Sequence, residues 1–435
     1  MTDRTVLISG AGIGGSTLAY WLARRGFRPT VVELASGLRS SGNPVDVRGP
    51  AVGVVERMDV MPRLRAAASN VTHLSFVNGA NRRVARVDLR TFQMSDAGEI
   101  EIPRADLASI LLGASRDVAE YLWNDTIVGI QRDSRGVNVR FAHAEPRRFD
   151  VLIGADGLHS AVRRLAFGPE SDHVHHTGIY VATLALAGDA GDDREVVMYN
   201  TPGRAVSIHP SSGRGIVAFM FRSRPIPGFD HRDREQHERL LTAAFGGSGW
   251  RVPELMSHVR GATDLYFDSV SQVRIPRWSA GRVALLGDAG SSVSLFGDGA
   301  TLAMAGAFTL AEELAGSPGD PETALQRYET RHRTLVDPKQ RGVPSAAALL
   351  IPATRPGIAA RNLAVRLLPL TTAVRSLART SAHPHCRHGH ATRAARRAAR
   401  RRRDCQAVGP LKRSRRRRRP QPRAEAPSYC LAQMA

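Results

Sequence analysis

Residues 5–33 read TVLISGAGIGGSTLAYWLARRGFRPTVVE, and the rest of the chain is organised around them. Val6, Leu7 and Ile8 form a short apolar run, the pattern of a parallel strand covered on both faces. Gly10, Gly12 and Gly15 then write G-x-G-x-x-G. The first glycine allows a tight turn, the second lets backbone approach a pyrophosphate, and the third lets the next helix pack closely on the strand. Leu18 and Leu22 share that helix's packing face, Arg24 and Arg25 suit its negative end, and Gly26 stops it. A second strand over 30–32 ends in Glu33, eighteen residues past Gly15, where a βαβ nucleotide fold presents a carboxylate to ribose hydroxyls. Strand, glycines, helix, strand and acid in register predict an ADP-containing cofactor.

The 435 residues carry 61 Lys and Arg against 40 Asp and Glu, a net charge of +21. That looks like a nucleic-acid signature until it is mapped. Residues 381–435 hold sixteen of the basic residues and only two acids, Asp404 and Glu425, so the rest carries +7. All three cysteines, Cys386, Cys405 and Cys430, lie in the same tail, which leaves the body without a disulfide, a thiolate nucleophile or a cysteine metal site. With no apolar run near 18 residues and a first strand close to Met1, neither a membrane span nor a signal peptide is expected, and the location read is cytoplasmic.

Residues 38–43 are rich in Gly and Ser and read as a loop; 45–48 read as a strand edge and 51–58 as a helix. Two alternating runs, 72–77 and 83–89, flank Asn78-Gly79 and predict a hairpin of a second, antiparallel sheet. Residues 102–112 (IPRADLASILL) read as an amphipathic helix start, and 137–141 and 150–153 as strands. Alternation over 179–186, 195–199, 205–209 and 216–222 predicts a mostly antiparallel sheet with one helical insert near 237–245. Residues 320–375 read as helical, interrupted at Pro352, Pro356 and Pro369.

Two later stretches repeat the strand–glycine–helix grammar. In DVLIGADGLHSAVRR (150–164) a strand enters Gly154-Ala155-Asp156-Gly157 before a helix opened by Ser160; a serine-capped junction alone would explain it equally well. In GRVALLGDAGSSVSLFGDGATLAMAGAFTLAEEL (281–314) a strand delivers Gly287-Asp288 into a loop lined by Ser291, Ser292 and Ser294. Gly297 and Gly299 then open a long helix whose Leu302, Gly306, Leu310 and Leu314 read as core. His73, His143, His159 and His209 are isolated in sequence, the run His173, His175 and His176 reads as solvated loop, and no metal spacing or nucleophile motif occurs.

These three motifs in this order resemble the class A flavoprotein aromatic hydroxylases, the family of para-hydroxybenzoate hydroxylase and the tetracycline-modifying monooxygenases, across roughly residues 5–375. The resemblance implies an α/β fold: a Rossmann-type FAD-binding domain (1–71, 90–170 and 276–318) with an inserted, mostly antiparallel substrate domain (72–89 and 171–275). C-terminal helices (319–380) and a disordered Arg-rich tail (381–435) complete it. It implies non-covalent FAD, with Gly10, Gly12, Gly14, Gly15 and Glu33 at the ADP positions. Arg104, in R-x-D-L, matches an arginine near the ribityl–pyrophosphate region, and Asp288 an aspartate on the ribityl chain. Asp156 and Gly157 match a DG motif linked to FAD and NADPH, and Gly297 and Gly299 the helix start beside the flavin pyrimidine. Arg39 and Asp46 sit where tetracycline-type members place an NADPH-contacting arginine and a flavin-proximal aspartate; for Arg39 a solvated loop arginine is the equal alternative. The chain departs from the family at Gly290, which replaces the second Ala of GDAA, and in a loop one residue short.

The implied chemistry is reduction of FAD by NADPH or NADH, addition of O2 to a flavin C4a-hydroperoxide, and insertion of one oxygen into an aromatic, polycyclic or polyketide substrate. Ring hydroxylation and Baeyer–Villiger insertion are both open. A flavin-dependent reductase of a prenyl or polyene substrate is the alternative on the same fold. A halogenase would need W-x-W-x-I-P, which Trp21, Trp123, Trp250 and Trp278 do not provide. Nucleic acid is expected only as a non-specific partner of the tail. Runs such as Arg415–Arg419 read either as a polybasic arm or as the product of a shifted reading frame near Ser381.

Overall fold

The computed structural model describes residues 4–37, 44–89, 98–186, 190–211, 214–292 and 298–367. The chain opens with β1 (Arg4–Ser9), α1 (Ile13–Arg24) and β2 (Phe27–Glu33), followed by β3 (Pro44–Val47), α2 (Pro50–Arg57) and α3 (Met61–Ala66). The hairpin β4 (His73–Val77) and β5 (Arg83–Asp88) precedes β6 (Ile100–Pro103), α4 (Arg104–Ser115) and β7 (Glu120–Trp123). A meander, β8 (Ile127–Asp133), β9 (Gly136–Phe141) and β10 (Arg147–Phe149), leads into β11 (Val151–Gly154) and α5 (Ala161–Phe167). Then come β12 (Val174–Leu186), β13 (Glu195–Thr201), β14 (Arg204–Ser211), β15 (Arg214–Arg222), α6 (Arg234–Phe245), α7 (Val252–Val259) and β16 (Tyr266–Val273). The last elements are β17 (Ser279–Ala280), β18 (Val283–Leu285), α8 (Asp288–Ser291), α9 (Asp298–Ala315) and α10 (Pro321–Leu350), with residues 355–367 also helical.

Two large sheets carry the architecture. The first has the order β17-β18-β11-β1-β2-β7, parallel except for the β17–β18 edge. Its central strands are apolar on both faces, with Val6, Leu7, Ile8, Leu152 and Ile153 fully buried, as a sheet flanked by helices requires. Helix α1 packs against α4 and α9. The Rossmann-type expectation over 5–33 therefore holds strand for strand, and Gly26, at φ +81°, ends α1 as read.

The second sheet has the order β16-β12-β15-β14-β13-β4-β5. Here strict alternation separates two faces. Val206 and Ile208 join Phe219, Phe221, Leu241 and Phe245 in a core under α6 and α7, while Ala205, Met198, Met220 and Phe76 face the other way, with Ala347 and Ile351. The 72–89 hairpin belongs to this sheet, as expected, but β4 pairs with β13 in parallel, so the sheet is mixed at that edge.

Four local expectations are corrected. Ile102 and Pro103 lie in β6, paired with β3, and the helix starts only at Arg104. A residue preceding proline is pushed out of helical backbone, which explains the boundary. Of the three interruptions expected over 320–375, the one at Pro352 holds, since the chain leaves the helix at 351–354. Pro356 instead lies in the first turn of the next helix, and Pro369 lies outside the described residues, while α10 itself runs through Pro338 and Pro344. The sheet carries two helical inserts, α6 and α7, not one. His175 and His176 belong to β12, and His173 and His176 are half-buried, their Nε2 atoms 3.0 Å from the carbonyls of Phe167 and Ser223. The tail 381–435 lies outside the described residues.

Candidate functional site

The loop after β1 is shaped by close approach. Gly10 has φ +102°, and a Cβ there would stand 2.5 Å from the Ala155 carbonyl oxygen. A Cβ on Gly15 would stand 1.9 Å from the Gly10 oxygen. Both glycines are needed before any ligand enters the argument. Gly12 differs, because a Cβ there would meet nothing within 4 Å. It is the N-cap of α1, provides no side-chain cap, and leaves the helix's first N–H groups turned to open space. Gly14 packs on Ala303 and Leu286, tying α1 to α9. Glu33 closes the loop: its carboxylate accepts from the Ala11 N–H at 2.8 Å and the Ala35 N–H at 2.9 Å.

Beside this loop β11 delivers Asp156. Its carboxylate accepts from Ser9 Oγ at 3.2 Å, Ala161 N–H at 2.9 Å, Val162 N–H at 3.2 Å and Ser160 Oγ. It thus ties β1 to the start of α5, as the capped-junction reading implied, and burial raises its pKa despite these donors. Ser160 caps α5 through the Arg163 N–H at 2.9 Å. Asp288, at the start of α8, stands nearest the Gly299 position; burial raises its pKa and the charge of Arg104 only partly opposes that.

Gly10, Gly12, Gly14, Glu33, Asp46, Arg104, Asp156, Gly157, Asp288 and Gly299 all line one continuous cavity of about 1610 Å³. Typical small-ligand pockets span roughly 300–1,000 Å³, so this one has room for a dinucleotide and a second molecule. Gly15 is not at its surface, and Arg39 and Gly297 lie outside the described residues. The far end is walled by Leu74, Phe76, Val181, Val196, Met198 and Met220 from the second sheet, with Leu349, Leu350 and Val365 opposite. Ser291 and Ser292 do not line it; their hydroxyls turn to the Gly287 and Ser271 carbonyls.

Several participants beside the expected Asp46 had no sequence signal. Asp46 stands 3.4 Å from Arg48, which bonds Asp298 at 2.8 Å, and Lys339 reaches Asp298 at 3.2 Å. Burial raises the Asp46 pKa, the Arg48 charge lowers it and the Asp298 charge raises it. His159 is not isolated: it bridges Glu170 and Asp268 at 3.0 Å each and stacks on His231 at 3.8 Å. Burial alone would lower its pKa, but the two carboxylates outweigh it and hold it at about 9. His209 lines the cavity with Nε2 3.1 Å from Ser207 Oγ, and burial lowers its pKa to about 4, so the ring is neutral. The alternation Ala205-Val206-Ser207-Ile208-His209 could have placed it on the cavity face.

Among the described residues no cluster of three or more His, Cys, Asp or Glu side chains could hold a metal ion, and no helix is long and apolar enough to cross a membrane. The family model described as "FAD binding domain" matches residues 3–337. An uncharacterized protein of Mycobacterium tuberculosis is 36% identical over 344 residues, covering 78% of this chain and 92% of its own. A flavin-dependent monooxygenase of Legionella longbeachae is 32% identical over 339 residues, covering 77% and 87%. The crystal structure of tetracycline destructase Tet(51) superposes with a TM-score of 0.74 at 29% identity, covering 83% of this chain and 95% of that one. With an uncapped helix at a glycine cradle, a desolvated aspartate opposite and this match along the chain, the protein belongs to the FAD-dependent class A monooxygenase family.

Proposed function

We propose that the protein uses NADPH or NADH and O2 to insert one oxygen atom into an aromatic, multi-ring substrate held against the second sheet. One observation carries the reading: a single cavity joins the glycine cradle to an apolar sheet face. The described residues fit FAD. The open space at Gly12 and the uncapped N-terminus of α1 suit a pyrophosphate, with Gly10, Gly14 and Gly15 shaping the loop and Glu33 beside the ribose. Arg104 and Asp288 would hold the ribityl–pyrophosphate region, where hydroxyl donors would satisfy a carboxylate that burial has desolvated. Asp46, Asp156, Gly157, Gly297 and Gly299 complete the flavin surroundings in this reading, and Arg39 an NAD(P)H contact. Residues 1–71, 90–170 and 276–318 then act as the cofactor layer and 72–89 and 171–275 as the substrate layer.

When bound, the flavin supplies electron transfer from NAD(P)H and activation of O2. The chain's own part is to orient the substrate ring and exclude water, which the Phe76, Met198 and Met220 wall suits. Neutral His209 can accept or donate one hydrogen bond to a substrate hydroxyl without carrying charge into that wall. The similarity to a tetracycline destructase supports a multi-ring substrate, and the relatives' monooxygenase names favour oxygen insertion over prenyl reduction. The test is NAD(P)H oxidation by purified yellow protein against a panel of polycyclic phenols, with product masses. Products gaining one oxygen are expected; a colourless protein that cannot be reconstituted with FAD refutes the proposal.

A further inference from the structure

The apolar end of the cavity contains a charge that no carboxylate among the described residues balances. Arg361, from the helix over 355–367, lines the cavity and is only 6% exposed. Its Nε donates to Asn362 Oδ1 at 2.8 Å, Nη1 to the Leu349 carbonyl at 3.1 Å and Nη2 to Asn200 Oδ1 at 2.9 Å. All three acceptors are neutral, and they take three of the five N–H donors a guanidinium carries. The guanidinium carbon sits 3.7 Å from the centroid of the Phe76 ring, which orients the group without neutralising it.

Two other buried or partly buried arginines have carboxylate partners, whereas the half-buried side chain of Arg222 donates only to the Ala347 and Ile351 carbonyls among the described residues. Arg163 meets Glu170 at 3.3 Å, and Arg48 meets Asp298 at 2.8 Å. For Arg361 no carboxylate of the described residues lies within 4.0 Å. Burial lowers its pKa to about 10, so it remains charged at neutral pH. A buried cation with neutral partners is costly unless a counter-charge arrives from elsewhere, and here it borders a cavity built to admit a ligand.

We infer that Arg361 is the charge-recognition group of the substrate compartment, and that the substrate carries an anionic oxygen group (a carboxylate, phenolate or enolate) set against its guanidinium. The inference rests on the reading of this cavity as the site of an aromatic substrate. A planar guanidinium already fixed by Asn200, Leu349 and Phe76 can offer its remaining N–H groups to an oxyanion with little further ordering. Neutral molecules of the same shape would leave the charge unpaired.

The test uses the FAD-loaded protein and matched pairs at pH 7: 1-hydroxy-2-naphthoate with its methyl ester, and salicylate with methyl salicylate. Binding is read from the change in flavin absorbance on titration, with NAD(P)H oxidation measured in parallel. The acids are expected to bind at least about tenfold more tightly than their esters. Arg361→Ala should shrink that ratio to below about twofold while leaving the esters' Kd unchanged, and Arg361→Lys should keep part of it. Should Arg361→Ala lose its flavin, Arg361→Gln, which can keep a bond to the Leu349 carbonyl, carries the comparison beside the wild-type ratio. Equal binding of acid and ester by the wild type, or a preference that survives Arg361→Gln, overturns the assignment. If none of the four ligands perturbs the wild-type flavin, the aromatic compartment itself is refuted, and the proposed function with it.

Discussion

Alanine at Gly10 and at Gly12 should fail for different reasons, although both stand in one loop. At Gly10 the native φ of +102° is forbidding for a side chain, and the new Cβ would press to 2.5 Å on the Ala155 oxygen and 2.9 Å on Asp156 Cα. Both contacts are backbone, so no rotamer change relieves them. Left-handed strain of about 1–3 kcal/mol and overpacking of about 1–3 kcal/mol sum to roughly 2–6 kcal/mol. That is a large part of a domain's typical stability of about 5–15 kcal/mol. At Gly12 the backbone, at φ −70° and ψ −172°, is open to any residue, and the Cβ meets no atom. Gly12→Ala should therefore leave the apoprotein as stable as wild type, or raise it by about 0.4–1 kcal/mol through the unfolded chain. Its methyl would instead occupy the cradle and cost about 1.5–3 kcal/mol of cofactor binding, roughly ten- to a hundredfold in Kd. Thermal melts of the flavin-free proteins and FAD titrations by fluorescence quenching measure the two effects separately. If Gly12→Ala melts as low as Gly10→Ala, or binds FAD like wild type, the division of labour between these glycines is wrong.

Asp288→Ala is expected to weaken flavin retention by about 1–3 kcal/mol, read as FAD Kd. Its apoprotein should be no less stable than wild type at pH 7–8, because burial raises the folded pKa of this acid and its ionised form costs stability there. The His159 bridge has the opposite sign. Its folded pKa of about 9 exceeds the unfolded value near 6.5, so its contribution is complete below about pH 6.5 and lost as pH rises through 9. His159→Gln should flatten that fall, by no more than about 3 kcal/mol, with His231, whose pKa burial lowers, acting only at more acid pH; parallel denaturation curves at pH 6, 7.5 and 9 decide it, and identical slopes in both proteins end the argument. A chain ending at Thr380 should keep its flavin and its NAD(P)H oxidation rate and lose any salt-sensitive retention on DNA shown by the full chain; loss of flavin on truncation would make the tail part of the enzyme.

The first βαβ unit was legible because its constraints are local. Gly10, Gly15 and Gly26 are demanded by backbone within a few residues or by the adjoining strand, and each leaves a spacing that can be read. The two faces of the second sheet were legible for a similar reason, since alternation is a property of one strand at a time. What escaped depends on residues far apart. His159 looked isolated because Asp268 is 109 positions away, and Arg361 left no signal because Asn200 is 161 positions away. Helix α10 continues through Pro338 and Pro344 because it packs along α9 and β17, and tertiary contact outweighs the backbone bonds those prolines remove. Arg39 and Gly297, outside the described residues, keep only their sequence argument.

The order in which strands enter the first sheet has a consequence for biosynthesis. Strand β1 is made first, but its parallel neighbour β11 is held to it by bonds such as Thr5 N–H to Asp150, 145 residues later. At translation speeds of 5–20 residues per second, β1 waits roughly 7–30 s for that partner. The cradle cannot close sooner, because Gly10 is seated against Ala155 and the opposite wall arrives with Asp288 and Gly299. Flavin therefore cannot template the early chain. It can only bind once the chain has been made through Gly299, after both walls of the cradle exist.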